Sequence, residues 1–370
     1  MNNIMSIIFA SDNESKLNEL TLHRTTASLP VGGRYRFIDF TLSNLVNSQI
    51  TTIGIMTKSN YSSLMDHIRM GRDWDLNRKN SGITVFPPYA SNTSRSVSKG
   101  KIEAMYGILD YIEKASEDYV IVTNSNIAAN IDFDDVYNKH LDKGADITML
   151  TYFAKPTTSR RVIIESDETG RVTGSRITQT ASDKIEEIGL NIYLLKKSLL
   201  MDLVTNCYER GGVDFEKNII QQKANELKIY TYRVQGHAAM IDDIKTYFEE
   251  SMKLLDSKVR DDLFYAFGKI FTKVKDSVPT IYRENAKVKN SLIADGCDID
   301  GVVENSILFR GVKVEKDAVI TNSIVMENGH IYPNSSLNYI ITDKNVTITE
   351  DKKIGGFETY PLVIVKNKTI

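Results

Sequence analysis

The first residues of this sequence that could act on phosphate groups follow an apolar run, residues 4–10, which is typical of a buried strand. Phosphoryl transfer needs the backbone N–H groups of a glycine loop near the phosphates, and a lysine or arginine that offsets their charge. Here the run is followed by Ser11, Asp12, Glu14 and Lys16. Two acids there would repel a polyphosphate by about 4 kcal/mol per pair of charges at about 4 Å and an effective dielectric constant of about 20. The other interpretation is a plain strand-to-helix turn with Ser11 or Asp12 as the helix cap.

A second set of candidate residues consists of Asn126 and Met240, which stand where a family resemblance carried by residues 29–44 implies metal ligands, and of the nearby Asp242. Magnesium that serves phosphate chemistry is normally held by carboxylates, whereas Asn126 offers an uncharged carbonyl oxygen and Met240 a soft thioether. Asp242 lies two residues beyond Met240, so in an extended segment it would share a face with Met240 and could act as a substitute ligand. The interpretation that we favour is that Asp242 caps the next helix, where Asp243 adds a favourable negative charge.

Four apolar runs predict the strands that position these residues. The runs are continuous rather than alternating, as in strands buried on both faces, and helical segments lie between them. This order predicts an α/β domain of βαβ units with a mostly parallel mixed sheet. The predicted strands are 4–10, 52–56, 119–123 and 147–153, and the predicted helices are 59–70, 102–115 and 244–255, followed by a charged connector at 256–262.

The last 80 or so residues repeat an Asn-led pattern. Asn290, Asn305, Asn322 and Asn338 recur at spacings of 15, 17 and 16 residues, each ahead of apolar residues. This period predicts a parallel β-helix in which one coil contains three short strands, and each asparagine can occupy a corner in the left-handed conformation. A sandwich would alternate with period two. Since β-helices of this kind also occur in acyltransferases, the repeat does not by itself indicate a function.

The composition excludes several classes of protein. The chain has 370 residues, 41% apolar and 25% charged, with a net charge of −2. The charges are interspersed, so neither a nucleic acid nor a membrane surface is an expected partner. We find no apolar run near 18 residues and no signal peptide, and Cys207 and Cys297 lack metal-type spacing. The sequence therefore predicts a two-domain cytoplasmic protein.

Residues 29–44 carry a family resemblance. They read Leu-Pro-Val-Gly-Gly-Arg-Tyr-Arg-Phe-Ile-Asp-Phe-Thr-Leu-Ser-Asn, which is similar to the signature of bacterial ADP-glucose pyrophosphorylase (glucose-1-phosphate adenylyltransferase), the enzyme that makes ADP-glucose for glycogen. The resemblance covers essentially the whole chain. It implies a Rossmann-like nucleotidyltransferase domain at 1–256, a linker at 257–287 and a left-handed parallel β-helix at 288–370.

The resemblance also implies that the catalytic positions are degenerate. Its phosphate-binding, metal-binding and sugar-binding side chains are replaced here, at Ser11, Asp12, Glu14, Lys16, Thr26, Asn126, Thr178 and Met240. Asn126 and Met240 stand where the family has its two metal carboxylates. A remnant of the substrate pocket is expected at Gly32, Gly33, Gly100, Glu187 and Gly189. Arg24 matches a basic residue of the family's anionic effector site, and its alternative is a solvated surface arginine.

The pattern resembles the non-catalytic subunit type of this family (GlgD type), which accompanies a catalytic GlgC-type subunit. It implies a regulatory or activating subunit of a heterotetramer, with homo-oligomers possible when the chain is alone, and with magnesium held only by the catalytic partner. Three alternatives stay open. The chain could be an active sugar-1-phosphate nucleotidyltransferase that uses Asp242 and an adapted loop. It could be a β-helix acyltransferase, for which His330 is the only histidine in the repeat region, or a stand-alone sensor of sugar phosphates.

Overall fold

A computed structural model describes residues 3–10, 14–58, 60–79, 81–88 and 99–370. Within these residues the first domain is built on one mixed sheet. The sheet strands are β1 (Ile4–Phe9), β4 (Thr52–Met56), β5 (Gly82–Phe86), β6 (Tyr119–Asn124), β8 (Ile147–Ala154), β9 (Arg161–Ser166), β10 (Val172–Thr178), β11 (Glu186–Lys196) and β12 (Ile229–Arg233). In this sheet β8 pairs with β11 and β12, and the other strands follow the order β10-β9-β11-β6-β1-β4-β5. Strands β10 and β11 run opposite to the rest. Two short pairs lie outside it: β2 (Pro30–Val31) with β3 (Tyr35–Arg36), and β7 (Ile127–Ala129) with β13 (Ala238–Met240).

The continuous apolar runs form strands that are buried on both faces, as predicted. In β1, Ile4 and Ile8 belong to one hydrophobic cluster, while Met5, Ile7 and Phe9 belong to a cluster on the opposite face. Helices cover both clusters. The helices are α1 (Glu14–Leu17), α2 (Phe37–Asn47), α3 (Ser62–Ile68), α4 (Lys101–Tyr106), α5 (Leu109–Lys114), α6 (Phe133–Asp142), α7 (Lys197–Glu209), α8 (Ile244–Lys253) and α9 (Ser257–Tyr265), with a π-helix at Glu216–Gln221 and 3-10 turns at Asn18–Leu20, Thr26–Ser28 and Arg72–Trp74.

One helix prediction and one connector prediction were wrong in detail. The helix expected at 102–115 is broken into α4 and α5 at Gly107, the residue type that, apart from proline, least favours a helix interior. The charged connector expected at 256–262 is helical. Asp256 caps α9 by accepting a hydrogen bond from the Lys258 N–H at 2.9 Å, and Phe264 of this helix packs against Phe40 with ring centroids 5.5 Å apart. The charges of this segment predict a connector, but the burial of its apolar residues in the tertiary structure favours a helix.

The second domain is a parallel β-helix of three five-stranded sheets within the described residues. The strands are β14 (Ile281–Tyr282), β15 (Lys287–Lys289), β16 (Leu292–Ile293), β17 (Asp298–Ile299), β18 (Val302–Glu304), β19 (Ile307–Leu308), β20 (Lys313–Val314), β21 (Val319–Thr321), β22 (Ile324–Val325), β23 (His330–Ile331), β24 (Ser336–Asn338), β25 (Ile340–Thr342), β26 (Thr347–Ile348), β27 (Lys353–Gly355) and β28 (Leu362–Ile364). Strands β14 and β15 begin inside the range predicted as a linker. The domain limits themselves stay a prediction.

The asparagine corners follow the prediction at three of the four repeats. Asn290, Asn305 and Asn322 have φ of 44°, 46° and 46°, and Asn290 donates to the Asn305 side-chain oxygen at 2.7 Å. At the fourth repeat the prediction was wrong. Asn338 ends strand β24, and Tyr339 takes the left-handed conformation with φ of 55°. Asn338 still continues the ladder, because its oxygen accepts from the Asn322 amide at 3.0 Å.

The two domains share a hydrophobic core. Phe37 and Phe40 of α2 belong to the same buried cluster as Phe309, Ile324 and Met326 of the β-helix. The hairpin between β2 and β3 enters this contact: a Cβ on Gly33 would lie 3.4 Å from the Ala294 Cβ, and one on Gly32 would lie 3.4 Å from Leu254. Both glycines have positive φ, 58° and 83°, which glycine adopts at no steric cost. The domain contact thus depends on a tight turn.

The polar residues of the 29–44 motif hold this region together. Asp39 accepts from the Arg36 N–H at 3.0 Å and contacts His67 at 2.6 Å. The Ser43 hydroxyl accepts from the Phe271 N–H at 2.8 Å. Asn44 donates to the Ala129 carbonyl at 2.9 Å, at the end of β7. Each of these contacts is structural, so the motif joins helix α2 to neighbouring segments of the fold.

Candidate functional site

Strands β7 and β13 bring together the two sequence positions that the family resemblance assigns to metal. The strands are antiparallel, with Met240 opposite Ile127, and the Ile241 N–H donates to the Asn126 carbonyl at 2.8 Å. Asn126, Met240 and Asp242 are all buried. We call these three residues, together with Arg161, the strand-edge site.

Arg161 is the residue of this site that sequence reasoning missed. It begins β9, its side chain is 2% exposed, and its guanidinium forms an ion pair with Asp242, whose side chain is fully buried. Asp242 also accepts a hydrogen bond from the Asn126 amide at 2.8 Å. The available signal was a pair of arginines, Arg160 and Arg161, directly ahead of an apolar run, since a charge at the start of a buried strand needs a partner.

The prediction that Asp242 caps helix α8 was wrong. Asp243 is the cap: its carboxylate accepts from the Thr246 N–H at 2.7 Å and from the Ser159 hydroxyl at 3.0 Å. Burial raises the pKa of Asp243, but these hydrogen bonds and the Arg161 charge outweigh burial and lower it overall. Asp242 lies one residue earlier and pairs with Arg161 instead.

The residues of the strand-edge site do not fit a magnesium ion. Magnesium favours carboxylates, but the carboxylate of Asp242 already has a buried guanidinium as its counter-ion. Asn126 turns its amide N–H groups toward Asp242 and the Ile241 carbonyl, the latter at 3.0 Å. No group of three or more histidine, cysteine or acidic residues that could hold a metal ion occurs in the described part of the chain. The site therefore carries its own cation.

A second ion-pair cluster lies beside the carboxyl end of β1. Lys101 contacts Glu216 at 2.5 Å, and Arg160 contacts Asp214 at 2.7 Å and Glu216 at 3.4 Å. The Lys101 ammonium also lies 5.6 Å from the ring centroid of Phe9, the last residue of β1. The cations of this cluster are therefore engaged by the protein's own acids.

Glu216 gives this cluster a testable pH dependence. Burial raises the pKa of Glu216, but Lys101 and Arg160 outweigh burial and lower it to about 2, from about 4.5. A lowered pKa stabilises the fold above the unfolded value, and this stabilisation is lost as the pH falls from about 4.5 to about 2. We expect Glu216→Gln to lower the free energy of unfolding by about 3 kcal/mol at pH 7, with the difference from the parent shrinking across that window. Urea unfolding at a series of pH values measures it.

The matched control for that prediction is Glu226→Gln, because Glu226 pairs with Lys223 at the surface, with 66% of its side chain exposed. Its effect should stay below about 1 kcal/mol at every pH. A Glu216→Gln protein whose stability runs parallel to the parent from pH 7 to pH 2 would contradict the assignment.

The remaining phosphate-side positions are only partly described. Ser11 and Asp12 lie outside the described residues, and Glu14 begins α1 with a side chain outside the description. Lys16 donates to the Thr158 carbonyl at 2.7 Å, in the segment between β8 and β9. Thr26 is buried in a 3-10 turn. The structure thus does not bring Lys16 into the strand-edge site, and it ties this lysine to a neighbouring loop.

The glycines of the expected substrate-pocket remnant lie in three different environments. Gly32 and Gly33 lie in the domain contact, against the β-helix and α9. A Cβ on Gly100 would lie 2.2 Å from the Val213 carbonyl oxygen, and one on Gly189 would lie 2.0 Å from the end of Met149. Close packing therefore explains why glycine stands at 100 and 189, whether or not a substrate binds nearby.

The two remaining sugar-side positions lie on strands β10 and β11. Thr178 is opposite Arg161 in the pairing of β10 with β9. Glu187 of β11 accepts hydrogen bonds from the Thr151 hydroxyl at 2.7 Å and from the Ser166 hydroxyl at 3.1 Å. A cleft of about 960 Å³ opens beside Met240 and Arg161, which lies within the range of ligand pockets.

Arg24 is not a surface residue, so that alternative was wrong. It is 3% exposed, and its guanidinium binds both carboxylate oxygens of Asp343 in the β-helix, at 2.7 and 3.0 Å. Nearby, Lys344 contacts Glu327 at 2.6 Å, and burial lowers the pKa of Lys344 to about 8 despite that partner. Burial also lowers the pKa of Arg36. The effector role of Arg24 stays a prediction, and an anion there would have to replace Asp343.

Among the described residues, every helix is too short or too polar to cross a membrane.

Comparison with known proteins finds two family matches. Residues 5–236 match the nucleotidyl transferase family, and residues 277–359 match the GlmU-like C-terminal hexapeptide family. The second match agrees with a left-handed β-helix, as predicted.

Similar proteins cover nearly the whole chain. The glycogen biosynthesis protein GlgD of Bacillus subtilis (strain 168) is 33% identical over 99% of this chain and 96% of its own length. The GlgD protein of Geobacillus stearothermophilus is 36% identical over 86% of this chain and 83% of its own length. The glucose-1-phosphate adenylyltransferase of Pseudothermotoga lettingae is 31% identical over 86% of this chain and 77% of its own length.

Proposed function

Because this chain belongs to the nucleotidyl transferase family, in the group that joins GlgD glycogen biosynthesis proteins with glucose-1-phosphate adenylyltransferases, we propose that it serves glycogen synthesis as a regulatory or activating subunit. The reaction it would regulate converts ATP and glucose 1-phosphate to ADP-glucose and pyrophosphate. The proposed partner is a catalytic GlgC-type subunit in a cytoplasmic heterotetramer, and that partner holds the magnesium.

The buried Arg161–Asp242 ion pair carries the proposal that this chain is not itself catalytic. Nucleotidyl transfer depends on neutralising the charge that moves between phosphate oxygens. In this site an arginine already neutralises the carboxylate, and the neighbouring side chains are an amide and a thioether. These groups do not favour magnesium binding. Loss of one such stabilising contact commonly costs about 10² to 10³ in rate. Several are replaced here, so turnover by this chain should lie near background.

The alternative of an active enzyme depends on Asp242 as a metal ligand. The contacts of Asp242 disfavour this role, because its carboxylate is bound by Arg161 and by the Asn126 amide. The acyltransferase alternative depends on His330, which contacts Glu315 at 2.8 Å on the β-helix, and it gives no role to the nucleotidyltransferase domain.

The experiment that tests the proposal compares three preparations: this chain alone, the catalytic GlgC-type subunit of the same organism alone, and the two together. We expect co-elution on size exclusion and a changed rate of pyrophosphate release for the mixture, with no release by this chain alone. A catalytic subunit that lacks its metal carboxylate is the control, and its complex with this chain should be inactive. Unchanged partner activity together with separate elution would defeat the proposal.

A further inference from the structure

We propose that Arg161 is a resident cation that occupies the place of a divalent metal ion, so that the strand-edge site excludes metal through its own positive charge and not only through missing carboxylates. This exclusion of metal requires no partner subunit.

The contacts of the guanidinium carry the first step. Besides the ion pair with Asp242, the Arg161 Nη1 lies 3.8 Å from the Met240 sulfur, and Nη2 lies 3.5 Å from the Met240 carbonyl oxygen. Asp242 in turn accepts from Asn126 at 2.8 Å. One cation therefore touches position 240 directly and position 126 through a single carboxylate, and these are the two positions that the resemblance assigns to metal.

The charge balance carries the second step. Arginine stays protonated in proteins and offers a planar fork of donors to a carboxylate. Arg161 and Asp242 together are neutral, and both are shielded from water. A divalent ion brought to this place would add two positive charges beside the guanidinium, so that Asp242 and the neighbouring Asp243 would face three positive charges. Since repulsion between buried charges is strong at low dielectric, the arginine by itself opposes metal entry.

The orientation of Asn126 carries the third step. Its amide nitrogen donates to the Ile241 carbonyl at 3.0 Å and to Asp242. A flipped amide would point its oxygen at two acceptors, so the orientation is set by the contacts. The oxygen that faces away is buried and has no hydrogen-bond partner among the described residues. The Asn126 amide and the Arg161 guanidinium are thus both donors to Asp242.

The test restores one carboxylate with and without the arginine. Asn126→Asp keeps Arg161, while Asn126→Asp/Arg161→Gln places a second carboxylate beside Asp242 and removes the cation. The probe is Mn²⁺, measured by calorimetric titration and by electron paramagnetic resonance of the bound ion. We expect the double variant to bind Mn²⁺ on the order of 100-fold more tightly than Asn126→Asp. Equal affinity of the two variants would overturn the proposal.

Folding is followed in the same samples by circular dichroism. If the double variant is unfolded without metal, Mn²⁺ should restore its folded signal, because binding to the native state alone stabilises it. The control is Arg161→Gln/Asp242→Asn, in which the site is neutral. Mn²⁺ should not change the circular dichroism signal of this control. The proposal would also be overturned if Asn126→Asp/Arg161→Gln stayed unfolded at saturating Mn²⁺. It would likewise be overturned if Mn²⁺ changed the circular dichroism signal of the control as strongly.

Discussion

Arg161→Met is expected to lower the free energy of unfolding by about 3 to 5 kcal/mol. The reason is the state of Asp242, which is fully buried, accepts a hydrogen bond from Asn126, and would lose the guanidinium that offsets its charge. Leaving one partner of a buried ion pair uncompensated is far more costly than the net stabilisation that the pair supplies. Urea unfolding at pH 7, followed by circular dichroism, measures the loss.

Two further variants separate charge from side-chain volume. Arg161→Met/Asp242→Leu removes both charges and should recover most of the lost stability, since a buried pair can often be exchanged for apolar residues. Arg78→Met removes a comparable cation from an exposed pair with Asp75, whose side chain is 87% exposed. Its effect should lie below about 1 kcal/mol. If Arg161→Met lowers the free energy of unfolding no more than Arg78→Met does, the Arg161–Asp242 ion pair is not a buried stabilising contact.

Arg24→Met is the second substitution with a large expected effect, again about 3 to 5 kcal/mol. Here the partner, Asp343, belongs to the β-helix, and the side chains of the pair are 3% and 2% exposed. The loss should therefore appear at the contact between the domains. In differential scanning calorimetry we expect a single transition for the parent and a broadened or divided transition for Arg24→Met, because its domains no longer support each other.

Arg283→Met is the matched control, since Arg283 pairs with Asp298 within the β-helix while more than half of its side chain is exposed. It should shift the transition little and leave its shape unchanged. An Arg24→Met protein with the parent's calorimetric trace would show that the Arg24–Asp343 pair does not couple the domains.

Much of the fold could be predicted from local pattern. Strands β1, β4, β6 and β8 were predicted because continuous apolar runs have few other structures available to them. The β-helix was predicted because its period repeats the same corner residue. Both signals are contained in neighbouring residues, so a single sequence shows them.

The strand-edge site could be predicted only in part. Asp242 and Asp243 both stand ahead of a helix, and local rules do not decide which of two adjacent aspartates is the cap. The decision comes from Arg161, 81 residues earlier in the chain, which reaches Asp242 through the pairing of distant strands. Helix α9 was missed for a similar reason, because its few apolar residues become significant only when α2 and the β-helix lie beside them.

The glycine hairpin at Gly32 and Gly33 has a consequence for how sequences of this kind are interpreted. The most recognisable segment of the chain supports the junction of two domains, whereas the positions that the resemblance assigns to chemistry are scattered single residues. A search of genomes for that segment would gather GlgD proteins and glucose-1-phosphate adenylyltransferases alike. Sorting them requires attention to a handful of isolated positions, among them an arginine at the start of a strand.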